Sequence, residues 1–103
     1  MSSKVTVKTQ VKDFNTFKKV AEEQGFTNEG MNFTKGRQSF EMKLPKGSEV
    51  YTIVYDDMRP VETDKLMQGY ATEMVIQEAR KRGQTARKVG TDKDGNVKIE
   101  ILC

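Results

Sequence analysis

The run Val50–Tyr55, with the sequence VYTIVY, decides the fold because it carries apolar side chains on both faces of an extended strand. Such a strand is typical of the interior of a sheet, where it has a neighbour on each side. The segment that follows, Asp56–Pro60, ends the strand because it contains two carboxylates and a proline. The sequence therefore predicts a sheet built around residues 50–55.

Upstream of this central strand, apolar side chains repeat with a period of two, which is typical of strands with one wet face. The repeats are Val5–Val11, a short strand around Met31–Thr34, and Phe40–Leu44. Asp13 can cap a helix after the first repeat, and Gly25 suits the left-handed position that ends it. The apolar stripe of this helix consists of Phe14, Phe17, Val20 and Ala21.

Downstream, a long helix is predicted from Glu62 or Thr63 to about Arg82, where Gly83 ends it. Its predicted buried stripe consists of Leu66, Met67, Tyr70, Ala71 and Met74, with Val75 at the margin. Thr85–Thr91 and the alternating residues from Val97 to Ile101 then flank Asp94-Gly95, a strong hairpin signal.

The predicted order is β-α-β-β-β-α-β-β, in one domain that spans residues 1–103. Sequential hairpins favour a mainly antiparallel sheet, and the two helices are expected to pack on one of its faces. The fold class is therefore α+β.

Composition excludes several kinds of chemistry. The chain of 103 residues has no histidine and one cysteine, so histidine general-base catalysis, Ser-His and Cys-His pairs and most zinc sites are excluded. Glycine-rich phosphate loops are absent. We therefore expect no catalytic residues, no metal and no cofactor, and a chain that is not an enzyme. An enzyme that uses only Asp, Glu, Lys, Tyr or Arg stays open as a third alternative.

A cytoplasmic location is expected from the absence of two sequence features. No apolar run approaches the roughly 20 residues that span a bilayer, and residues 1–6 lack the apolar stretch of a secretory signal. Because the single cysteine is Cys103, no internal disulfide can form, although this thiol could pair between chains.

Several short motifs point to one family. The opening Val7–Asp13 (VKTQVKD), followed by Phe17–Val20 and Gly25-Phe26, resembles the start of a plastid and cyanobacterial family known as hypothetical plastid reading frame thirty-five, a domain of unknown function. Further segments are similar to its long helix and its last hairpin: Tyr51–Asp56, Gln68–Ala71, Glu78–Gly83 and Asp94–Ile99.

The resemblance spans most of the chain, but residues 27–50 depart from the family pattern and look shortened. It implies a compact cytosolic or stromal module, sometimes encoded near AAA-type ATPases, and it implies no catalytic residues. A divergent member with a shortened middle could be encoded by a phage and would then act in the host cytoplasm.

Basic residues are the best candidates for a binding site. Those near the end of the long helix and in one turn are Arg80, Lys81, Arg82, Arg87, Lys88, Lys35 and Arg37. Together they could hold phosphate oxygens of a nucleotide or nucleic acid, with Tyr51, Tyr55 and Tyr70 as candidate stacking faces. The alternative is ordinary surface charge and core tyrosines. A net charge of only +3 fits either interpretation.

Other clusters are short. Asp56 and Asp57 follow a strand end, and Asp92 and Asp94 look like a fragment of a calcium loop without the rest of its ligands. The methionines are typical of core residues, but several facing outward together would mark an adaptable protein-binding surface.

The leading hypothesis is a small non-enzymatic binding or adaptor module that docks on another protein and forms a homodimer. The alternative is a nucleotide or nucleic-acid binder.

Overall fold

The computed structural model describes residues 3–102 of the chain and confirms the α+β class. The elements of this region, in chain order, are β1 (Lys4–Lys8), α1 (Phe14–Glu23), β2 (Thr27–Glu29), β3 (Asn32–Lys35), β4 (Gln38–Lys43), β5 (Thr52–Asp56), α2 (Thr63–Lys81), β6 (Thr85–Thr91) and β7 (Val97–Leu102). The order of strands and helices follows the prediction, and the short strand β2 is additional. Cys103, with its predicted interchain thiol, lies outside the described residues.

Five of the described strands form one antiparallel sheet in the order β1-β5-β4-β3-β2, and β6 and β7 form a separate two-stranded sheet. Strand β5 pairs with β1 on one side and with β4 on the other. Ile53 lies at the middle of this arrangement, opposite both Val7 and Met42. The strand runs over Thr52–Asp56 instead of the predicted 50–55, and its predicted position in the interior of the sheet is confirmed.

The core lies on one face of the large sheet. Phe33 and Phe40 are cross-strand partners whose rings stack with centroids 5.0 Å apart. Phe17 of α1 meets both rings edge-on, at 5.5 Å and 6.0 Å, an arrangement that aromatic quadrupoles favour. Leu66 and Tyr70 of α2 join the same buried cluster. Both helices therefore contribute to covering one face of the sheet.

Helix α1 begins and ends as its sequence predicts. The Asp13 side chain accepts hydrogen bonds from the Thr16 N–H at 3.1 Å and from the Thr16 hydroxyl at 2.8 Å. At the other end, Gly25 has a φ of +98°, and the Phe26 N–H donates to the Ala21 carbonyl at 3.0 Å. This positive φ suits glycine, and it turns buried Phe26 back onto the last turn.

The Asp13 cap of α1 predicts that the stability of the fold depends on pH. The hydrogen bond from the Thr16 side chain, helped by the Thr16 N–H, lowers the pKa of Asp13 below its ordinary 3.8. Because the folded pKa is the lower one, the stability gained from the carboxylate is present above pH 3.8 and is lost as pH falls through the folded pKa. We expect Asp13→Ala to lower the free energy of unfolding by about 1 kcal/mol at neutral pH.

The measurement is urea unfolding of wild type, Asp13→Ala and Asp13→Asn between neutral and acid pH. The Asn variant keeps a neutral cap, so the two variants should differ by a constant amount. The difference in the free energy of unfolding between wild type and each variant should become smaller at acid pH. A wild-type advantage that does not change with pH would contradict this assignment.

Strand β1 ends earlier than the alternation of apolar residues predicts. Thr9 donates its hydroxyl to the Tyr51 carbonyl at 2.6 Å, and the same oxygen accepts from the Val11 N–H at 3.0 Å. These bonds replace ladder pairing after Lys8, although Thr9 and Val11 stay buried. The predicted strand Val5–Val11 is therefore shortened to Lys4–Lys8.

The stripe predicted for α2 is correct in part. Leu66 and Tyr70 are buried and Met67 and Met74 are half-buried, but Ala71 is exposed. The helix also buries Ile76 and Ala79, which form a second cluster with Ala86 of β6 and Ile99 of β7. The prediction for Ala71 is wrong because α2 packs not only against the sheet but also against α1 and the hairpin. Neither described helix is long and apolar enough to cross a membrane.

Candidate functional site

A groove of about 550 Å³ runs between α2 and the end of β1. Met67, Ala71 and Met74 line its α2 side, at positions that fall on one stripe of the helix. The segment Lys8–Lys12 forms the other side through Lys8, Thr9, Gln10 and Lys12, while Val11 is buried in the core. Because three apolar side chains share one wall, the groove offers mainly apolar contact.

Tyr70 fixes the two walls relative to each other. Its hydroxyl oxygen accepts hydrogen bonds from the backbone N–H groups of Lys12 and Asp13, both at 3.1 Å. The ring itself is buried in the core between the helices and the sheet. The hydrogen bonds of Tyr70, which also stabilise the fold, therefore fix the position of α2 relative to the segment Lys8–Lys12.

The charged residues that line the groove are Lys8, whose side chain lies on the exposed face of β1, and Lys12. Lys12 lies 3.9 Å from Glu49, and both side chains of this pair are largely exposed. An exposed pair of this length contributes little and leaves the ammonium available. No acidic residue of the described region lines the groove, so its electrostatic character is basic.

The residues of the predicted basic cluster lie on several elements, and some of them have acidic partners. Arg82 lies 3.5 Å from Glu78 on its own helix, and Arg87 pairs with Glu100 across the hairpin at 3.2 Å. The positive charge of Lys81 makes a minor contribution to lowering the pKa of Asp13. The residues at the end of α2, Arg80 to Arg82, are exposed.

The remaining basic candidates lie in other places. Lys88 lines a shallow cavity beside α2, together with Lys65. Lys35 extends past Gly25, with its ammonium 5.7 Å from the Phe26 ring centroid. Arg37 lines a separate cavity with Arg59. Lys88 and Arg37 therefore line different cavities.

The three tyrosines pack against the core. Tyr70 is buried, while Tyr51 and Tyr55 are half-buried and contact the same cluster. Tyr51 also lies against Phe14, with ring centroids 5.7 Å apart. Their faces are therefore largely occupied by neighbouring side chains.

The carboxylate pairs make local backbone contacts. Asp56 accepts from the Met58 N–H at 2.8 Å, and Asp57 accepts from the Ser3 N–H at 3.1 Å. Asp92 accepts from the N–H groups of Asp94 and Asn96, both at 2.9 Å, and the bond from Asn96 contributes most to lowering its pKa. Among residues 3–102 no group of three potential ligands converges to hold a metal ion.

The sequence predicts the methionines mainly as core residues, and Met67 and Met74 do pack against the core while also lining the groove. Met67 and Met74 were expected in the core, and the structure leaves them half-buried along one groove. The second wall, Lys8–Lys12, was not predicted, because nothing local shows that this segment passes beside α2. The regular spacing of Lys4, Lys8 and Lys12 was a visible signal of a charged strand edge.

The chain is an α+β domain with a groove that has an apolar wall on α2 and polar and basic residues on its other side. The chain matches no protein-family model, no curated protein and no solved structure. The resemblance to the plastid and cyanobacterial family therefore stays a prediction.

Proposed function

We propose that this chain is a non-enzymatic binding module that acts by docking on another protein. The observation that carries the proposal is the groove between α2 and Lys8–Lys12, with Met67, Ala71 and Met74 along one wall. Methionine is unbranched and polarisable, so a surface rich in it adapts to the side chains of a partner. The structure gives such a surface a fixed position on a packed helix.

The polar groups around the groove favour recognition over chemistry. The Tyr70 hydroxyl oxygen already accepts two backbone N–H groups, and Lys8 and Lys12 are the charged residues that line the groove. Asp13 and Asp92, whose pKa values are lowered, serve a helix cap and a turn. Apolar contact surrounded by charge is the usual anatomy of a protein interface.

A cytoplasmic location and a homodimer belong to the same proposal. The hairpin supplies the surface for self-association, since Val89, Ile101 and Leu102 are each about half exposed there. A second copy that packs on one face of the hairpin would cover part of this apolar surface, because Ile101 and Leu102 are adjacent in β7 and point to opposite faces. This surface is separate from the groove, so one chain can dimerise and still bind a partner.

The groove is tested by site-specific photo-crosslinking in the native cell. A photoreactive amino acid at exposed Ala71 should capture one protein, and the same group at exposed Glu23 on α1 should not. The captured protein, purified, should bind the wild-type chain and bind the Met74→Lys variant about tenfold more weakly, because the substitution places a charge in an apolar wall.

Two outcomes would overturn the docking proposal. One is binding of the purified partner that Met74→Lys does not change. The other is capture of a nucleic acid at Ala71, with an affinity that falls steeply between low and moderate salt, as phosphate contacts require. The second result would favour the alternative function of nucleotide or nucleic-acid binding. Lys46→Glu, in the exposed turn after β4, is the control for a general effect of charge.

A further inference from the structure

Strand β1 forms an edge of the large sheet. Its neighbour is β5, and no other strand of residues 3–102 lies beside it. The Asp57 N–H donates to the Ser3 carbonyl at 2.9 Å, which identifies that cross-strand pair as hydrogen-bonded. Because bonded and non-bonded pairs alternate in antiparallel ladders, the backbone groups of Lys4, Thr6 and Lys8 point away from β5. They can receive another strand.

The opposite edge of the same sheet is less suited to this role. Strand β2 has three residues, and the Asn28 side chain donates to the carbonyls of Gly30 and Asn32 there. Strand β1 has five residues, and its last residue opens directly into the α2 groove. A strand added to β1 would therefore gain both backbone hydrogen bonds and apolar contact.

The side chains of β1 specify what the added strand should carry. Val5 and Val7 face the helix-covered side and are half-buried, whereas Lys4, Thr6 and Lys8 are exposed on the other side. Lys8 lies opposite Thr52, so β5 places no carboxylate across from it, whereas Lys4 lies opposite Asp56. Cross-strand pairs of opposite charge are stabilising, and pairs of like charge are destabilising. A complementary strand alternates apolar residues towards the groove with acidic residues towards the lysines.

A second copy of β1 does not meet this requirement. Antiparallel pairing of two β1 strands centred on Thr6 would place Lys4 of each copy opposite Lys8 of the other. Both cross-strand contacts would then be between like charges. Lysines on an edge strand are a common device against such self-pairing.

We infer that the β1 edge and the α2 groove together bind an extended segment of a partner protein in which apolar side chains alternate with acidic ones. This inference rests on the proposed docking function and names its site and its ligand chemistry. The segment adds to β1 as a further strand of the sheet. Its apolar side chains contact Met67, Ala71 and Met74, and its carboxylates lie beside Lys4 and Lys8.

The first test uses synthetic peptides of about seven residues, the length of an ordinary strand. The binding peptide alternates leucine with glutamate, and the control peptide alternates leucine with lysine. Titration into the folded full chain, followed by amide and methyl NMR, should give saturable shifts at Thr6, Lys8 and Met74 for the glutamate peptide. Equal binding of the two peptides, or shifts confined to another surface, would overturn the inference.

Three protein variants sharpen this test. Thr6→Pro removes an outward N–H, which an edge strand tolerates, and should weaken binding of the glutamate peptide about tenfold or more. Lys4→Glu combined with Lys8→Glu should reverse the preference towards the lysine peptide. Lys46→Glu, in the exposed turn after β4, is the charge control and should change neither affinity by more than about twofold.

The outcomes separate the strand inference from the docking proposal. If the photo-crosslinked partner loses affinity with Met74→Lys but not with Thr6→Pro, docking stands and strand addition is wrong. If Met74→Lys has no effect on that partner, the docking proposal itself fails. Loss of affinity in both variants supports both, provided circular dichroism shows that each variant is folded.

Discussion

Phe17→Ala should lower the free energy of unfolding by about 4 kcal/mol, the largest effect that we expect from one substitution in this chain. Phe17 is fully buried and lies edge-on against the rings of Phe33 and Phe40. Its ring also approaches Tyr70 of α2, at 6.4 Å between centroids. Removing it leaves a cavity at the place where both helices meet the sheet, and the stacked pair beneath cannot move to fill it.

The matched control is Phe14→Ala, one turn earlier on the same helix. Phe14 is half-buried and contacts Phe33 and Tyr51 at 6.0 Å and 5.7 Å between centroids. Because it buries less surface, its loss should cost about 2 kcal/mol. Urea unfolding followed by circular dichroism measures both variants. A loss for Phe17→Ala no greater than that for Phe14→Ala would show that the core is not organised around the Phe17 ring.

The predictable parts of the fold are those that short segments determine. Asp13 and Gly25-Phe26 define both ends of α1 through contacts within a few residues. The hairpin around Asp94-Gly95 forms from its own turn chemistry, with the Gly95 N–H donating to the Asp92 carbonyl at 3.1 Å. The strand at Ile53 followed from apolar residues on both faces. In each case the signal and the contact are close in sequence.

The parts that were missed depend on partners distant in sequence. Strand β2, with the sequence TNE, has no apolar alternation and forms because β3 pairs with it. Ile76 and Ala79 are buried because the separate hairpin packs on α2, and the sequence does not show which surface a hairpin will cover. Glu73 is also buried, and Lys19 of α1 pairs with it at 3.0 Å.

The candidate site was predicted less well than the fold, for the same reason. A groove needs two walls, and its walls here are separated by more than fifty residues of chain. Joint action of basic residues that are close in sequence stays a prediction, and Arg82 and Arg87 have ion pairs on separate elements. Spacing along α2 showed that Met67, Ala71 and Met74 share a stripe. Only tertiary packing decides that this stripe borders open space.

Gly69 shows how closely the two helices approach. It lies on the side of α2 that faces α1, where a Cβ atom would come within 2.7 Å of Val20 Cγ1 and 2.8 Å of Gln24 Nε2. The Gln24 amide can move because it ends a flexible side chain, although it now donates to the Lys65 carbonyl at 3.1 Å. Val20 cannot move, because it is buried and β-branched. Glycine at position 69 is therefore required by packing, despite its low helix propensity.

We expect Gly69→Val to lower the free energy of unfolding by about 3 kcal/mol, since overpacking outweighs the improved helix propensity. Ala71→Val, on the exposed side of the same helix, is the control and should cost about 0.5 kcal/mol. Combining Gly69→Val with Val20→Ala should recover part of the loss, because the second substitution removes the methyl group that clashes. A double-mutant cycle by urea unfolding measures this coupling. Strict additivity of the two substitutions would mean that α1 and α2 do not meet at Gly69 and Val20. The groove wall formed by α2 would then have a different position relative to β1.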